Sequence, residues 1–297
     1  MIDVGIIGLD TSHSEKFAEL LSSRSDTTVR GVWDGGDVRP DAYTEAFCRD
    51  HCSSRYDRPE EMIDHVDAVM ILTVDWDRHR PIAVRFLEAG VPTFVDKPIA
   101  GSIDDIETLR RTVERNGTPF CGGSAVPSHP SLAIMRGDAG THDLFAAGYN
   151  DPFYYGVHIT DAARTICGAD WTRIVSADHG VATTVTFADG SSATLRFDGP
   201  TENAAFGLLD VGGATRTARI DATAEELNRM YNPFIEAFVE TVRGNRDESG
   251  RLFDAATLLL GVQAALEFDV VVTPESPLLA DLTRDGRSFT DTYEPLY

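Results

Sequence analysis

The segment Ile2–His13 reads IDVGIIGLDTSH and decides the fold class. Its apolar run Val4–Ile7 is typical of a buried strand, and a glycine follows directly. The spacing of Ser12 and Glu15 matches a capping box and predicts a helix starting near His13. A strand, a tight turn and a helix in this order occupy the place of the dinucleotide-binding fingerprint in parallel α/β proteins.

The glycine pattern of that fingerprint is incomplete. Gly8 occupies its first position, but Asp10 and His13 stand where the second and third glycines are expected. A carboxylate at a helix N-terminus competes with phosphate for the same positive potential. Two interpretations stay open. Gly8, Asp10, Thr11, Ser12 and His13 hold a cofactor, or Asp10 and Ser12 only cap the helix.

Outward from this segment, short apolar runs alternate with helical stretches. Strands are predicted at Val29–Trp33, Val66–Thr73 and Thr93–Asp96, and a helix with proline at its first position at Pro81–Ala89. This alternation is typical of a parallel sheet covered by crossover helices. The first part of the chain is therefore predicted to be α/β.

The pattern changes after Gly122. Strict alternation on both sides of the Asp189-Gly190 turn predicts an antiparallel hairpin, and Asn232 with Pro233 predicts the start of a later helix. We therefore expect two domains. Residues 1–122 would form a dinucleotide-binding α/β domain, and residues 123–297 an α+β domain with a mostly antiparallel sheet, for substrate binding and oligomerisation.

Asp34 ends the second predicted strand. An acidic residue there can accept hydrogen bonds from the adenosine ribose and repel a 2′-phosphate. Asp34 therefore indicates NAD as the cofactor in preference to NADP.

Lys97 lies in the run Val95–Pro98, at the carboxyl end of a predicted strand, where open α/β sheets place their ligands. The chain has only one other lysine, Lys16. A chain that uses arginine almost everywhere is expected to keep a lysine where a compact ammonium is needed. We expect Lys97 to be catalytic and to lie beside the cofactor together with Asp96. Thr73 and His79 fall on the same edge and are further cofactor-binding candidates, whereas a metal site there is not expected.

His158 and Asp161 lie three residues apart, on one face of a predicted helix over Val157–Cys167. A single histidine on an apolar helix is more often structural than catalytic. With Asp161 orienting its ring and a pKa near neutrality, His158 becomes a candidate proton acceptor.

Acidic residues dominate the charge. The chain has 26 Lys plus Arg against 48 Asp plus Glu, a net charge of −22 that disfavours binding to nucleic acids and anionic membranes. Sparse lysine with abundant aspartate indicates adaptation to concentrated salt, and an acidic mesophilic protein is the alternative. Four cysteines without a secretory pattern, and no apolar run long enough to span a membrane, predict a cytoplasmic protein.

Taken together, these motifs resemble the glucose-fructose oxidoreductase, inositol dehydrogenase and rhizopine-catabolism (Gfo/Idh/MocA) family. The resemblance rests on Gly5–Gly8, on His79–Gly90, on Asp96-Lys97-Pro98 as a variant of that family's Glu-Lys-Pro, and on Gly156–His158 with Asp161. It implies an N-terminal Rossmann domain that binds NAD(P), and a C-terminal sheet that forms the substrate floor and the oligomer interface. By position, Lys97 and His158 carry over as the residues that act on a sugar or polyol hydroxyl.

One departure concerns the residue four positions before the histidine, which is acidic in the family and is Tyr154 here. Tyr154, Tyr155 or Asp161 would then have to take over proton handling. Three functions follow: an NAD-dependent dehydrogenase of a sugar, polyol or related hydroxy compound, an NAD-dependent glycosidase, or a ligand-binding or regulatory protein without turnover. The first is the leading interpretation, with a small-molecule substrate and a homo-oligomeric assembly.

Overall fold

The computed structural model describes residues 1–177, 180–201 and 204–294. Its first sheet consists of β1 (Ile2–Ile7), β2 (Thr27–Trp33), β3 (Ser54–Arg55), β4 (Ala68–Ile71), β5 (Thr93–Asp96) and β6 (Phe120–Gly123). The order is β3-β2-β1-β4-β5-β6 and every pairing is parallel. The helices between these strands are α1 (Ser12–Ser22), α2 (Asp41–Asp50), α3 (His79–Glu88) and α4 (Ile103–Asn116). The predicted parallel sheet is confirmed.

The central strand β1 is apolar because both of its faces are covered. Val4, Ile6 and Ile7 are fully buried, and β1 pairs with β2 on one side and with β4 on the other. Since all six strands run in the same direction, the residues that follow β1, β4, β5 and β6 meet at one edge of the sheet. That edge carries the candidate site.

The second sheet also has six strands: β7 (Asp143–Tyr149), β8 (Trp171–Ala177), β9 (Ala182–Phe187), β10 (Ser192–Gly199), β11 (Ala205–Asp210) and β12 (Arg216–Asp221). Their order is β12-β11-β7-β10-β9-β8. Only the β7–β10 pair is parallel, so the sheet is mixed and mostly antiparallel, as predicted. The hairpin expected around Asp189-Gly190 is the β9–β10 pair.

The later helices are α5 (Pro130–Arg136), α6 (Gly156–Cys167), α7 (Ala224–Val242), α8 (Ser249–Phe268), α9 (Leu278–Asp281) and α10 (Gly286–Thr290). Two of them pack on the first sheet. Phe234 of α7 lies 5.3 Å from Phe94 of β5 between ring centroids, and Phe253 of α8 stacks on Phe120 of β6 at 5.0 Å. The two halves of the chain therefore share one apolar core, and the division at residues 122 and 123 stays a prediction.

Helix α8 is apolar on nearly all sides because other elements surround it. Leu258, Leu260 and Val262 are fully buried, and the helix contacts α4, α6, β6 and β8. Over the described residues, no helix combines the length and the apolarity needed to cross a membrane.

Two predicted helix starts are wrong. Helix α7 begins eight residues before Asn232, where Thr223 accepts a hydrogen bond from the Glu226 amide, and Pro233 lies inside the helix. Asn232 instead donates to the Asn228 carbonyl at 2.9 Å. Helix α3 begins at His79, two residues before the proline that was expected to open it. In α7, burial of Met230 and Tyr231 before the proline extends the apolar face and outweighs the preference of proline for a helix start. In α3, Pro81 still lies in the first turn, where its missing N–H would have no partner within the helix.

Candidate active site

A cavity of about 150 Å³ opens at the carboxyl edge of the first sheet. Lys97, which follows β5, lines it together with His158 of α6 and His13 of α1. Its other walls are largely aromatic and include Tyr149, Tyr154, Tyr155, Phe206, Tyr231 and Tyr293. The structure therefore brings the two predicted catalytic residues into one small cavity.

The Lys97 ammonium is buried against an aromatic face. The residue is 6% exposed, and its Nζ atom lies 3.1 Å from the centroid of the Tyr154 ring and 5.4 Å from that of Tyr155. Burial lowers the pKa of Lys97 to about 7, although the nearby charges of Asp96 and Asp151 act in the opposite direction. At neutral pH the ammonium and the neutral amine of Lys97 are therefore both populated.

His13 is held by the carboxylate next to Lys97. Its Nδ1 atom lies 2.7 Å from Asp96 Oδ2, and its ring stacks on Phe17 at 4.9 Å between centroids. Burial raises the pKa of Asp96, but electrostatic attraction and hydrogen bonds from His13 and Lys97 together outweigh burial and lower this pKa overall. His13, which occupies the third glycine position of the fingerprint, thus connects the start of α1 to the end of β5, next to Lys97.

His158 is oriented by a serine. Its Nδ1 atom lies 2.7 Å from Ser124 Oγ, which also accepts a hydrogen bond from the Val126 amide at 3.1 Å. Burial lowers the pKa of His158 well below 6.5, and the positive charges of Lys97 and His13 add to this effect. The imidazole is therefore neutral at pH 7 and able to accept a proton.

The expected pairing of His158 with Asp161 is wrong. Asp161 Oδ1 accepts from Arg251 of α8, and Oδ2 accepts from the Ser124 amide at 3.1 Å. The carboxylate is turned toward α8 and β6 because a buried arginine and a buried amide both require an acceptor. Asp161 is therefore linked to His158 indirectly, through Ser124.

Tyr154 does not replace the family's carboxylate in the manner of a base. Burial raises the pKa of its hydroxyl well above 10, so the phenol stays protonated. Its ring face, at 3.1 Å, covers the Lys97 ammonium. Tyr154 therefore stabilises the positive charge of Lys97.

The turn after β1 is tight. Gly8 has φ of +88°, and a Cβ atom at this position would lie 2.7 Å from the backbone nitrogen of Thr73. Thr11, rather than Ser12, caps α1 by accepting a hydrogen bond from the His13 amide at 3.1 Å. Ser12 is the first helical residue and lines the cavity.

Two carboxylates brace this turn. Asp10 Oδ2 accepts from the Val74 amide at 2.7 Å, and Asp34 Oδ1 accepts from the Leu9 amide at 3.0 Å. Burial raises the pKa of Asp10 to about 7, and the negative charge of Asp34 acts in the same direction. The expectation that Asp10 caps α1 is wrong, because its carboxyl group instead links the turn to the loop after β4.

His79 and Thr73 lie below the cavity. Both ring nitrogens of His79 face backbone carbonyls, Nε2 that of Thr73 at 2.9 Å and Nδ1 that of Ile99 at 3.2 Å. The ring is fully buried and burial lowers its pKa. The polar atoms of the His79 side chain join two loops of the sheet edge, and its expected contact with the cofactor stays a prediction. Thr73 packs under Gly8 and donates to the Asp75 carbonyl at 3.3 Å.

Sequence reasoning missed Ser124 and Asp151. Ser124 directly follows β6, so the edge rule that singled out Lys97 after β5 would also have found it. Asp151 accepts from the Phe153 and Tyr154 amides at 2.9 and 2.6 Å and adds negative charge near Lys97. No short motif indicates Asp151, because its effect arises from a chain reversal before α6.

Several solved structures share this fold. Scyllo-inositol dehydrogenase from Lactobacillus casei, with bound NAD(H) and scyllo-inositol, superposes with a TM-score of 0.76 at 16% identity, over 93% of this chain and 100% of that chain. GenD2 from gentamicin A biosynthesis, in complex with NAD, gives 0.78 at 15% identity over 92% and 96%. Myo-inositol dehydrogenase from Lactobacillus casei, with NAD(H) and myo-inositol, gives 0.76 at 14% identity over 92% and 96%. At these identities the likeness shows a common fold.

Comparison of sequences identifies a matching family for the part of the chain that contains the first sheet. No curated protein matches the chain. The model of the oxidoreductase family with an NAD-binding Rossmann fold matches residues 2–123, which contain the whole parallel sheet and the turn at Gly8. The family resemblance seen in the motifs is confirmed. Residues 2–123 of this chain match the Gfo/Idh/MocA family of oxidoreductases with an NAD-binding Rossmann fold.

Proposed function

We propose that the protein is an NAD-dependent dehydrogenase that oxidises a hydroxyl group of a sugar, polyol or related small molecule. One observation carries this proposal: the Lys97 ammonium and the neutral His158 imidazole line the same 150 Å³ cavity, at the sheet edge where the family binds its cofactor. The solved dehydrogenases of the same fold hold inositols together with NAD(H). Alcohol oxidation requires a proton acceptor and a hydride acceptor, and a hydrogen-bond donor at the reacting oxygen stabilises its developing negative charge.

The turn fits a dinucleotide in shape. Gly8 lets β1 end directly against Thr73, and the N-terminus of α1 offers amide groups toward the turn. The negative charge of Asp10 would repel a pyrophosphate. Because the pKa of Asp10 is about 7, however, its carboxyl group carries only about half of a negative charge at neutral pH. Gly8, Thr11 and Ser12 would hold the pyrophosphate and Asp34 the ribose. When bound, NAD supplies the hydride acceptor.

Lys97 would donate a hydrogen bond to the reacting hydroxyl. The positive charge stabilises the negative charge that develops on the oxygen as its proton leaves, and a buried ammonium does so more strongly than an exposed one. The Tyr154 ring fixes the ammonium, and the charges of Asp96 and Asp151 keep a fraction protonated at neutral pH.

His158 would remove the proton of that hydroxyl. This role requires the tautomer in which Nδ1 carries the hydrogen and donates to Ser124 Oγ. Ser124 Oγ has a second lone pair for this bond, since the Val126 amide uses the first. In that tautomer Nε2 is free to accept a proton.

The cavity lining limits the substrate. Its polar groups are Lys97, two histidines, a threonine, a serine and tyrosine hydroxyls, and none of its described lining residues is a carboxylate. A ring of about the size of a monosaccharide or an inositol, with one face against aromatic rings, suits a cavity of about 150 Å³.

A ligand-binding protein without turnover is the second candidate, favoured by the carboxylate of Asp10 in the phosphate turn. The test is to incubate purified protein in concentrated salt with NAD and a panel of inositols, monosaccharides and glycosides. Appearance of reduced cofactor with a free polyol supports the dehydrogenase. NAD binding without reduction would support the binding protein, and release of an aglycone without net reduction would support a glycosidase.

We also propose a homo-oligomer formed through the second sheet. Phe145 of β7 pairs with Leu209 of β11, and these side chains are 43% and 37% exposed, with Val211 beside them at 50%. An exposed apolar group on a sheet face is typical of an interface. Light scattering should show a multimer, and a monomer would contradict the proposal.

A further inference from the structure

A second and larger cavity, of about 480 Å³, lies between β6, α5, α7 and the start of α8. Among the residues that the structure describes, it shares none of its lining with the cavity that holds Lys97 and His158. Its volume lies within the range of small-molecule sites in proteins. The proposed dehydrogenase activity assigns no role to it.

The charge of this cavity is opposite to that of the whole protein. Of its described lining residues, three are arginines, Arg136, Arg246 and Arg251, and one is a carboxylate, Glu248, in a chain of net charge −22. Glu248 accepts from Arg246 at 2.7 Å and lies 3.4 Å from Arg251 and 3.7 Å from Arg136. Asp161 adds one more negative charge, behind Arg251. Three guanidinium groups therefore face two carboxylates, and one positive charge is left over.

The rest of the lining is largely apolar. Phe94, Phe234, Phe238 and Leu252 contribute to it, and all four are buried. We propose that this cavity binds a small organic anion, with its carboxylate or phosphate group at the arginines and its apolar body against the phenylalanines. Guanidinium groups bind such head groups through paired, charge-assisted hydrogen bonds.

The site adjoins the contacts that hold His158. Arg251 donates to Asp161, Asp161 accepts from the Ser124 amide, and Ser124 contacts His158. Replacing Arg251 would therefore disturb the proposed active site as well. Arg246 is the suitable residue to change, because its side chain is 41% exposed and pairs with Glu248 instead of Asp161.

The test is calorimetric titration of the full chain, with and without saturating NAD, at constant ionic strength. The probes are phenyl phosphate, benzoate and the uncharged phenol. At least one of the two anions should bind once per chain, phenol should not, and Arg246→Gln should weaken anion binding at least about tenfold. The matched control is Arg243→Gln, three residues earlier, where the arginine pairs with Asp26 and Glu240 and does not line the cavity. The Arg243→Gln variant should bind the anions as tightly as the unmodified protein does.

Three results would overturn the proposal: no saturable binding of either anion, equal binding by the Arg246→Gln variant, or competition between the probe and NAD. The last result would place the anion at the turn after β1. Because the titration is carried out with and without NAD, failure of the proposed dehydrogenase activity would leave this test intact.

Discussion

Replacing Asp10 with asparagine should stabilise the protein at alkaline pH. Burial raises the pKa of this carboxyl group from 3.8 to about 7 in the folded chain. The unfolded chain releases this proton near pH 4, whereas the folded chain retains it until about pH 7. Asp10 therefore makes folding less favourable as pH rises from 4 to 7, and its full effect remains above pH 7. Asparagine has no proton to release and keeps an oxygen acceptor for the Val74 amide.

The size of the effect follows from the shift. The pKa of Asp10 differs by about 3 units between the folded and the unfolded chain, and each unit corresponds to about 1.36 kcal/mol. Above pH 7, Asp10→Asn should therefore increase the free energy of unfolding by at most about 4 kcal/mol, since the carboxyl group is almost fully buried. Below pH 4 both forms of the chain hold the proton, so the carboxyl group and the amide should differ little. The stabilisation by Asp10→Asn should therefore grow between pH 4 and pH 7 and then level off.

Denaturant unfolding of Asp10→Asn and of the unmodified chain, in the same concentrated salt, measures this difference at a series of pH values. Asp64→Asn is the control, since it makes the same chemical change on an exposed side chain. A constant difference between the Asp10 variant and the unmodified chain from pH 4 to pH 8 would refute the assignment of a raised pKa to Asp10.

Three further predictions concern the cofactor, the pH optimum and salt. NAD should bind more tightly than NADP, because the Asp34 carboxylate repels a 2′-phosphate. The Asp34→Asn variant lacks this carboxylate, so the difference between its affinities for NAD and NADP should be smaller. Equal affinities of the unmodified protein for the two cofactors, measured by calorimetry, would mean that Asp34 does not contact the ribose. The kcat/KM value should fall as pH falls through the lowered pKa of His158, well below 6.5, and fall again as pH rises above about 7, where Lys97 loses its proton. A rate that keeps rising to pH 9 would mean that Lys97 acts as a neutral amine. Finally, 48 acidic against 26 basic residues should make the Tm rise steeply with salt, and circular dichroism showing a salt-independent Tm would contradict the expected halophilic adaptation.

The sequence allowed the first sheet to be predicted because its signals are local. The buried run Val4–Ile7, the turn at Gly8 and the strand before Lys97 each depend on a few neighbouring residues, and the structure has all three. Helix starts were predicted less well. The position at which α7 begins depends on an apolar face of the helix that packs against β5 and α1. The local sequence around Pro233 does not reveal that packing.

Polar contacts within the site were the least predictable. His158 and Asp161 are neighbours on a helix, yet each finds its partner on another element, Ser124 after β6 and Arg251 in α8. Periodicity shows which residues share a helix face, but the direction of a carboxylate depends on which donors the tertiary fold buries beside it. His79 is another example: the sequence correctly places it at the sheet edge, but both of its ring nitrogens contact backbone carbonyl groups.

The central claim is that Lys97 polarises the reacting hydroxyl, and a comparison of the chain's two lysines tests it most directly. Lys16 is 46% exposed on α1 and pairs with Glu19, so Lys16→Ala is the matched control. With the polyol that gives the highest rate, Lys97→Ala should lower kcat by a factor of about 10² or more while NAD affinity stays within a few fold, and Lys16→Ala should leave kcat unchanged. Equal kcat values for the unmodified protein and Lys97→Ala would contradict the mechanism.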